Sequence, residues 1–276
     1  MNEVLDLRKR VSLANAACYD AEGALEYIDG APHLKHATLT HLYAELVVEI
    51  FETAKKHTST PQVLDLGAGE GSVTLPMLEL GATVTAVDLS REMLATLENK
   101  CAAHGDRLTV RCEDIEETLK NDATEYDIVT ANSFLHHVPD YLSMLRAVIP
   151  RLSANGQFFS FQDPLKYVTL VRGTRGFDRL AFATWRIGKA DAWGGIWRYL
   201  RRARGEFRED SPHDNAEFHV LRDGVDQEAI ELLFKTAGFE CRIVPYFSTQ
   251  SRIFQPIGTM LGLKNTFAFI ASRKSI

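Results

Sequence analysis

The 276-residue sequence holds only four cysteines, Cys18, Cys101, Cys112 and Cys241, and they are scattered with no CxxC pair. Such sparse, unpaired spacing argues against a disulfide framework or an iron–sulfur site, and reduced structural thiols in a cytoplasmic protein are expected. No apolar run approaches the ~18 residues that a membrane helix needs. Residues 1–10 mix acids and bases where a secretory signal requires a continuous apolar stretch, so none is expected. An excess of basic charge is also missing: 31 Lys and Arg face 37 Asp and Glu, a net −6. That balance argues against a dedicated duplex-DNA binder. Glycine (18) and proline (9) are too few for a collagen-like or low-complexity chain, and no internal repeat is visible. What remains is 45% apolar, enough for a sizeable core in one large domain or in one domain with an appended cap.

Residues 3–19 read as a short helix, followed by a turn at 29–32. Leu39, Leu42, Tyr43, Leu46, Val47, Ile50 and Ala54 recur at helical spacing and predict an amphipathic helix over 38–56. Beyond a break at 58–61, strands and helices alternate. Strands are expected at 63–66, 83–87, 108–111, 126–130 and 157–161, the last entered by a turn at Asn155-Gly156. Helices are expected at 72–80 (closed by Gly81, with Pro76 disturbing its first turns), 91–103 (capped by Ser90) and 141–152. After a gap of about sixty residues the pattern resumes, with a helix at 226–237 and β-rich stretches at 241–247 and 266–272. Repeated βαβ units imply a doubly wound, mostly parallel α/β sheet. The long insertion follows a strand's carboxyl end, where open α/β sheets bind ligands, so it is expected to cap the site.

The chemistry centres on Asp65-Leu66-Gly67-Ala68-Gly69-Glu70-Gly71-Ser72, between the first strand and its helix. Glycines let the backbone turn tightly and approach a ligand, and the helix start offers unpaired N–H donors. The register is GxGxG, with Ser72 where a dinucleotide fingerprint would carry its third glycine. Asp65 would repel a pyrophosphate but suits an ammonium, and Asp88, ending the second strand, suits the two hydroxyls of a ribose. Together with Val87-Asp88-Leu89-Ser90, Cys112-Glu113-Asp114-Ile115 and the stretch Tyr126-Asp127-Ile128 through Phe134-Leu135-His136-His137-Val138-Pro139-Asp140, this closely resembles the class I S-adenosylmethionine-dependent methyltransferases.

The resemblance runs from about Val63 to Pro164 and implies a Rossmann-like, seven-stranded, mostly parallel sheet with S-adenosyl-L-methionine as cofactor. Carried over by position, Gly67, Ala68 and Gly69 would pass under the methionine part and Asp65 would lie near its ammonium. Asp88 would hold the ribose, Leu89 would lie beside the adenine, Asp114 would accept from the adenine amino group, and Ile115 would pack on the ring. Asn132 would border the methionine end. N-terminal segments of this superfamily often fold over the cofactor, so Tyr27 or Tyr19 is a candidate lid. The implied layout is an N-terminal lid segment 1–60, a cofactor-binding core 61–163, a helical cap 164–225 and a returning core 226–276.

Methyl transfer from a sulfonium mainly needs alignment in a dry pocket, and a general base helps where the acceptor must lose a proton. His136, His137 and Asp163, all just past strand ends, are the candidate base and orienting acid. His213, Asp214 and His219 form a second polar cluster that reads as a solvated loop, and no metal is expected. All three tryptophans, Trp185, Trp193 and Trp197, fall in the insertion. Between residues 166 and 210, eleven bases face five acids, so this stretch carries +6 and the remainder −12. An amphipathic cap with solvated or ion-paired arginines accounts for this; a sharper expectation is a small acceptor with an anionic or aromatic part. The predicted activity is methyl transfer to O, N or C of that small molecule. An RNA methyltransferase using Arg201, Arg202 and Arg204 is the alternative, disfavoured by the acidic body, and a nicotinamide-dependent oxidoreductase is a further one. The oligomeric state is left open.

Overall fold

A computed structural model describes residues 31–187 and 218–274, together with Val11, Arg201 and Glu206. Tyr19, Tyr27, Trp193, Trp197, Arg202, Arg204, His213 and Asp214 lie outside the described residues, as does the helix expected at 3–19 apart from Val11.

The apolar period of each segment dictates its element. In chain order these are α1 (Pro32–Lys35), α2 (Ala37–Lys55), β1 (Gln62–Leu66), α3 (Thr74–Leu80), β2 (Thr83–Asp88), α4 (Arg91–Lys100), β3 (Leu108–Cys112) and α5 (Ile115–Asn121). Then follow β4 (Tyr126–Asn132), α6 (Tyr141–Val148), β5 (Leu152–Pro164), α7 (Thr174–Ile187), α8 (Phe218–Arg222), α9 (Gln227–Thr236), β6 (Phe239–Tyr246), α10 (Phe254–Met260) and β7 (Thr266–Arg273). The strands form one seven-stranded sheet in the order β3-β2-β1-β4-β5-β7-β6. The first five strands pair in parallel, and β7 runs antiparallel between β5 and β6.

Because successive strand residues point to opposite faces, each strand feeds two cores. Val63, Val84, Ile128, Phe159 and Phe161 pack with Leu46, Ile50, Phe51, Met77 and Leu97 of α2, α3 and α4. Their neighbours Leu64, Val87, Val129 and Phe158 pack on the other face with Leu119, Leu145, Ile230 and Phe234 of α5, α6 and α9. Burial on both faces is what a parallel sheet requires. The order reverses between β1 and β4, which opens a crevice at the strands' carboxyl ends.

Several boundaries differ from the sequence expectation, three of them with a clear physical cause. The helix begun at Arg91 ends at Lys100 rather than at 103, and the chain tightens into a 3₁₀ turn over Ala102–Arg107. There Arg107 donates to the carbonyls of Leu78 and Ala82 at 2.7 and 2.9 Å. The helix begun at Tyr141 stops at Val148, because Pro150 has no N–H to continue it. Asn155-Gly156 is not a turn before the strand but a bulge within β5, marked by a register shift against β4. A Cβ at Gly156 would lie 2.7 Å from the Ser153 nitrogen. Pro76, by contrast, sits in the first turn of α3, where no N–H partner is needed, and α3 closes on Gly81 in a left-handed cap.

The two ends of the insertion are stitched together. Leu165 bridges Val225, the Tyr167 hydroxyl donates to the Val220 carbonyl and Lys166 pairs with Asp226. Among the described residues the α-helices of the insertion are α7 and α8.

Candidate functional site

The glycine loop leaves β1 with Gly67, Gly69 and Gly71 all at positive φ, conformations that only glycine adopts without strain. Gly67 and Ala68 donate to the Val87 carbonyl at 2.9 and 3.0 Å, which ties the loop to the end of β2. Asp88 completes that tie: one carboxylate oxygen accepts from the Gly69 N–H at 2.9 Å and the other from the Ser90 N–H at 2.8 Å. Burial raises the Asp88 pKa, and these N–H donors oppose the rise. Ser90 also caps α4 by accepting from the Met93 N–H.

Asp65 is buried below the loop, with one oxygen accepting from the Thr74 hydroxyl at 2.6 Å and the other from the Thr130 hydroxyl at 2.8 Å. Burial pushes its pKa up to about 6 against those two bonds. Leu89 follows Asp88 half-buried, and its carbonyl is met by the Cys112 thiol. Asp114 is the N-cap of α5, accepting from the Glu116 N–H at 2.8 Å, and Ile115 is buried at the helix start.

At the end of β4, Asn132 donates through Nδ2 to the Ser72 hydroxyl at 3.1 Å, while its Oδ1 is buried without a partner. Ser133 then turns the chain at φ 52, with its N–H on the Phe161 carbonyl. Phe134 lies so close over the glycine loop that a Cβ on Gly67 would come within 2.2 Å of its ring. The next residues form a 3₁₀ turn, Leu135–His137.

That turn brings His136 to Asp163. The His136 Nδ1–H donates to Asp163 Oδ1 at 2.8 Å, and the backbone N–H of His136 reaches the same oxygen at 3.1 Å. Asp163 is fully buried, and its Oδ2 has no partner. Burial raises its pKa, while the bond and the charge of His136 oppose that. The His137 ring meets His136 at a tilt of 44°, with ring centroids 4.0 Å apart. An imidazole that donates Nδ1–H to a carboxylate carries, in its neutral form, its basic lone pair on Nε2.

Two residues that no sequence motif marks surround this pair. His219 is buried rather than solvated, and its Nε2–H donates to the Val138 carbonyl at 3.1 Å, joining the end of the insertion to the His136 turn. Gln162, at φ 69, is held by Tyr246, whose hydroxyl accepts the Gln162 N–H at 2.9 Å. Neither carries a motif, since each contact spans dozens of residues. Among the described residues no group of three or more His, Cys, Asp and Glu is arranged to hold a metal ion, and no helix is long and apolar enough to cross a membrane.

The residues present fit an adenosyl amino acid. The loop offers left-handed backbone without Cβ atoms, a carboxylate stands at the end of β2, and unpaired buried oxygens of Asn132 and Asp163 flank the crevice.

Comparison with known proteins is consistent with this geometry. Residues 63–156 match the family model described as "Methyltransferase domain". A ubiquinone biosynthesis O-methyltransferase of Xanthomonas axonopodis pv. citri (strain 306) is 31% identical over 133 residues, covering 47% of this chain and 56% of that protein. The protein of the same name from Vibrio parahaemolyticus serotype O3:K6 is 36% identical over 98 residues, covering 36% and 42%. The chain thus spans about half the length of the curated relatives it matches. Among solved structures, magnesium protoporphyrin IX methyltransferase from Synechocystis PCC 6803 with bound SAH superposes with a TM-score of 0.55 at 16% identity, covering 96% of this chain and 100% of that one. The plantazolicin methyltransferase BamL, in complex with a triazolic desmethylPZN analog and SAH, gives 0.58 at 13% identity, covering 99% of each. At these identities the structural likeness speaks to the fold.

Proposed function

We propose that this chain is a class I S-adenosylmethionine-dependent methyltransferase, as the match of residues 63–156 to the methyltransferase-domain model supports, and that it methylates a hydroxyl oxygen of a small aromatic or anionic molecule. S-adenosylmethionine supplies the chemistry, a methyl group already activated on a sulfonium. The chain's own residues have to bind, align and take up a proton. Asp88 and the Gly67–Gly69 backbone are assigned to the cofactor, with Asp114 and Ile115 at its adenine end. His136 is assigned as the base: Asp163 fixes its tautomer, so Nε2 receives the proton that the acceptor hydroxyl gives up.

The observation that carries this reading is the bond between His136 Nδ1 and Asp163 at 2.8 Å. An amine or carbon acceptor makes less use of an oriented imidazole, and the relatives named above are O-methyltransferases by name. The positive balance of residues 166–210 supports an anionic group on the acceptor.

The test pairs binding with turnover. Calorimetry should detect S-adenosylhomocysteine binding to the wild type. Formation of S-adenosylhomocysteine with 3,4-dihydroxybenzoate and related hydroxyaromatic acids should then fall ~10²–10⁴-fold in His136→Gln, with the affinity for S-adenosylhomocysteine unchanged. Absence of binding would sink the methyltransferase reading, and wild-type turnover in His136→Gln would sink the role of the base.

A further inference from the structure

His136 and Asp163 stand on the α6 side of the β4 and β5 ends, whereas His33 and Asn132 stand on the opposite, α2 side. His33, on α1, is 1% exposed, and neither ring nitrogen has a hydrogen-bond partner. Its ring meets Phe161 edge-on at 5.9 Å and Tyr43 at 5.5 Å. Phe161 is the β5 register neighbour of Asn132. The Tyr43 hydroxyl donates to the Ser72 carbonyl at 2.9 Å, and Asn132 donates to the Ser72 hydroxyl at 3.1 Å. Ser72, at the end of the glycine loop, therefore anchors both neighbourhoods: Tyr43, which meets the orphan imidazole, and Asn132 with its orphan Oδ1.

Buried polar atoms without partners are rare, because nothing repays the hydration they lose. Asn132 Oδ1 at the end of β4 and the ring nitrogens of His33 on α1 point to the chemistry that would meet them. Asn132 Oδ1 only accepts, so it needs a donor. Burial lowers the His33 pKa to about 4, so at neutral pH the ring is uncharged and one nitrogen carries an N–H that needs an acceptor. A group holding a donor and an acceptor a few bonds apart is the ammonium and carboxylate of an amino acid. Asp65, the other candidate for the ammonium, has each carboxylate oxygen engaged by a threonine hydroxyl.

We propose that His33 binds the carboxylate of the cofactor's amino-acid end through its ring N–H, beside Asn132, whose Oδ1 accepts from the ammonium. The assignment rests on the methyltransferase reading and adds to it a residue outside every motif, 30 positions before Val63.

Calorimetry on the full chain tests it with three ligands: S-adenosylhomocysteine, its analogue lacking only the carboxylate, and 5′-methylthioadenosine, which lacks the whole amino-acid end. In the wild type, loss of the carboxylate should weaken binding about 10- to 100-fold, as expected for a hydrogen bond to a charged group. In His33→Phe, which keeps the ring contacts, S-adenosylhomocysteine should weaken by that factor while the other two ligands bind as before. His33→Leu, checked for folding by circular dichroism, is a second variant with the same expected pattern. Undiminished S-adenosylhomocysteine affinity in either variant, or equal weakening of all three ligands, overturns the assignment and leaves the methyltransferase reading standing. Failure of the wild type to bind any of the three overturns both.

Discussion

Asp65 is a carboxylate without water, and its energetics follow from that. Burial raises its pKa from an ordinary 3.8 to about 6. Between those values the folded chain holds a proton that the unfolded chain releases. The contribution of Asp65 to stability is therefore largest below about pH 4 and falls as pH rises through about 6. His33 runs the opposite way, since its lowered pKa costs stability as pH falls from 6.5 to about 4. In a comparison of wild type with Asp65→Asn, His33 is common to both proteins and cancels. The melting temperature of the wild type should rise relative to Asp65→Asn on going from pH 7 to pH 5; a difference that stays flat would place the charge elsewhere. At this scale the sequence was partly legible. The positions of Asp65 and Asp88 at strand ends marked them out, but nothing in the order of residues said that Thr74 and Thr130 would occupy both Asp65 oxygens.

At the scale of elements, the glycine loop and strand β5 behave differently. The loop was readable because glycine at positive φ is a local requirement. Gly67 and Gly81 share that backbone state, but a Cβ on Gly67 meets the Phe134 ring at 2.2 Å, whereas one on Gly81 meets nothing within 4 Å. Gly81→Ala should cost only the backbone strain, ~1–3 kcal/mol. Gly67→Ala should cost visibly more in urea unfolding and weaken S-adenosylhomocysteine binding, because Phe134 must move. Equal costs would mean the ring yields freely. In β5, strict alternation would put Asp163 on the same face as Phe159 and Phe161, toward α2. The left-handed turn at Gln162 breaks the alternation and delivers Asp163 to His136 on the other face. A glutamine gives no local warning of this, because Tyr246 and Ser248 hold it from 84 and 86 residues away.

For the molecule as a whole, the base of the insertion matters most. Gly224 sits at φ 77, where a Cβ would come 2.2 Å from the Leu165 carbonyl oxygen, a backbone atom that cannot swing aside. Gly224→Ala should open the Leu165–Val225 bridge and loosen the link from His219 to Val138. Stability should fall by roughly 3 kcal/mol or more, and turnover should drop with little change in S-adenosylhomocysteine affinity, since the groups assigned to the cofactor lie on α1, the ends of β1, β2 and β4 and the start of α5, outside the insertion. Wild-type turnover in a folded Gly224→Ala would show that the insertion does not position His136.

The sequence by itself determined the βαβ order, the two-faced strands and the glycine loop, because apolar period and glycine torsion are local properties of a chain. It also carried His136, His137 and Asp163 as candidates, each expected just past a strand end, although β5 runs on through Asp163 to Pro164. Tertiary structure alone decided which of them pair, that Asp163 crosses to the His136 face, and that His33 is buried without a partner against Tyr43 and Phe161 from a four-residue helix. Those outcomes depend on contacts between residues far apart in the chain, and on which buried polar atoms are left without partners once the backbone is satisfied.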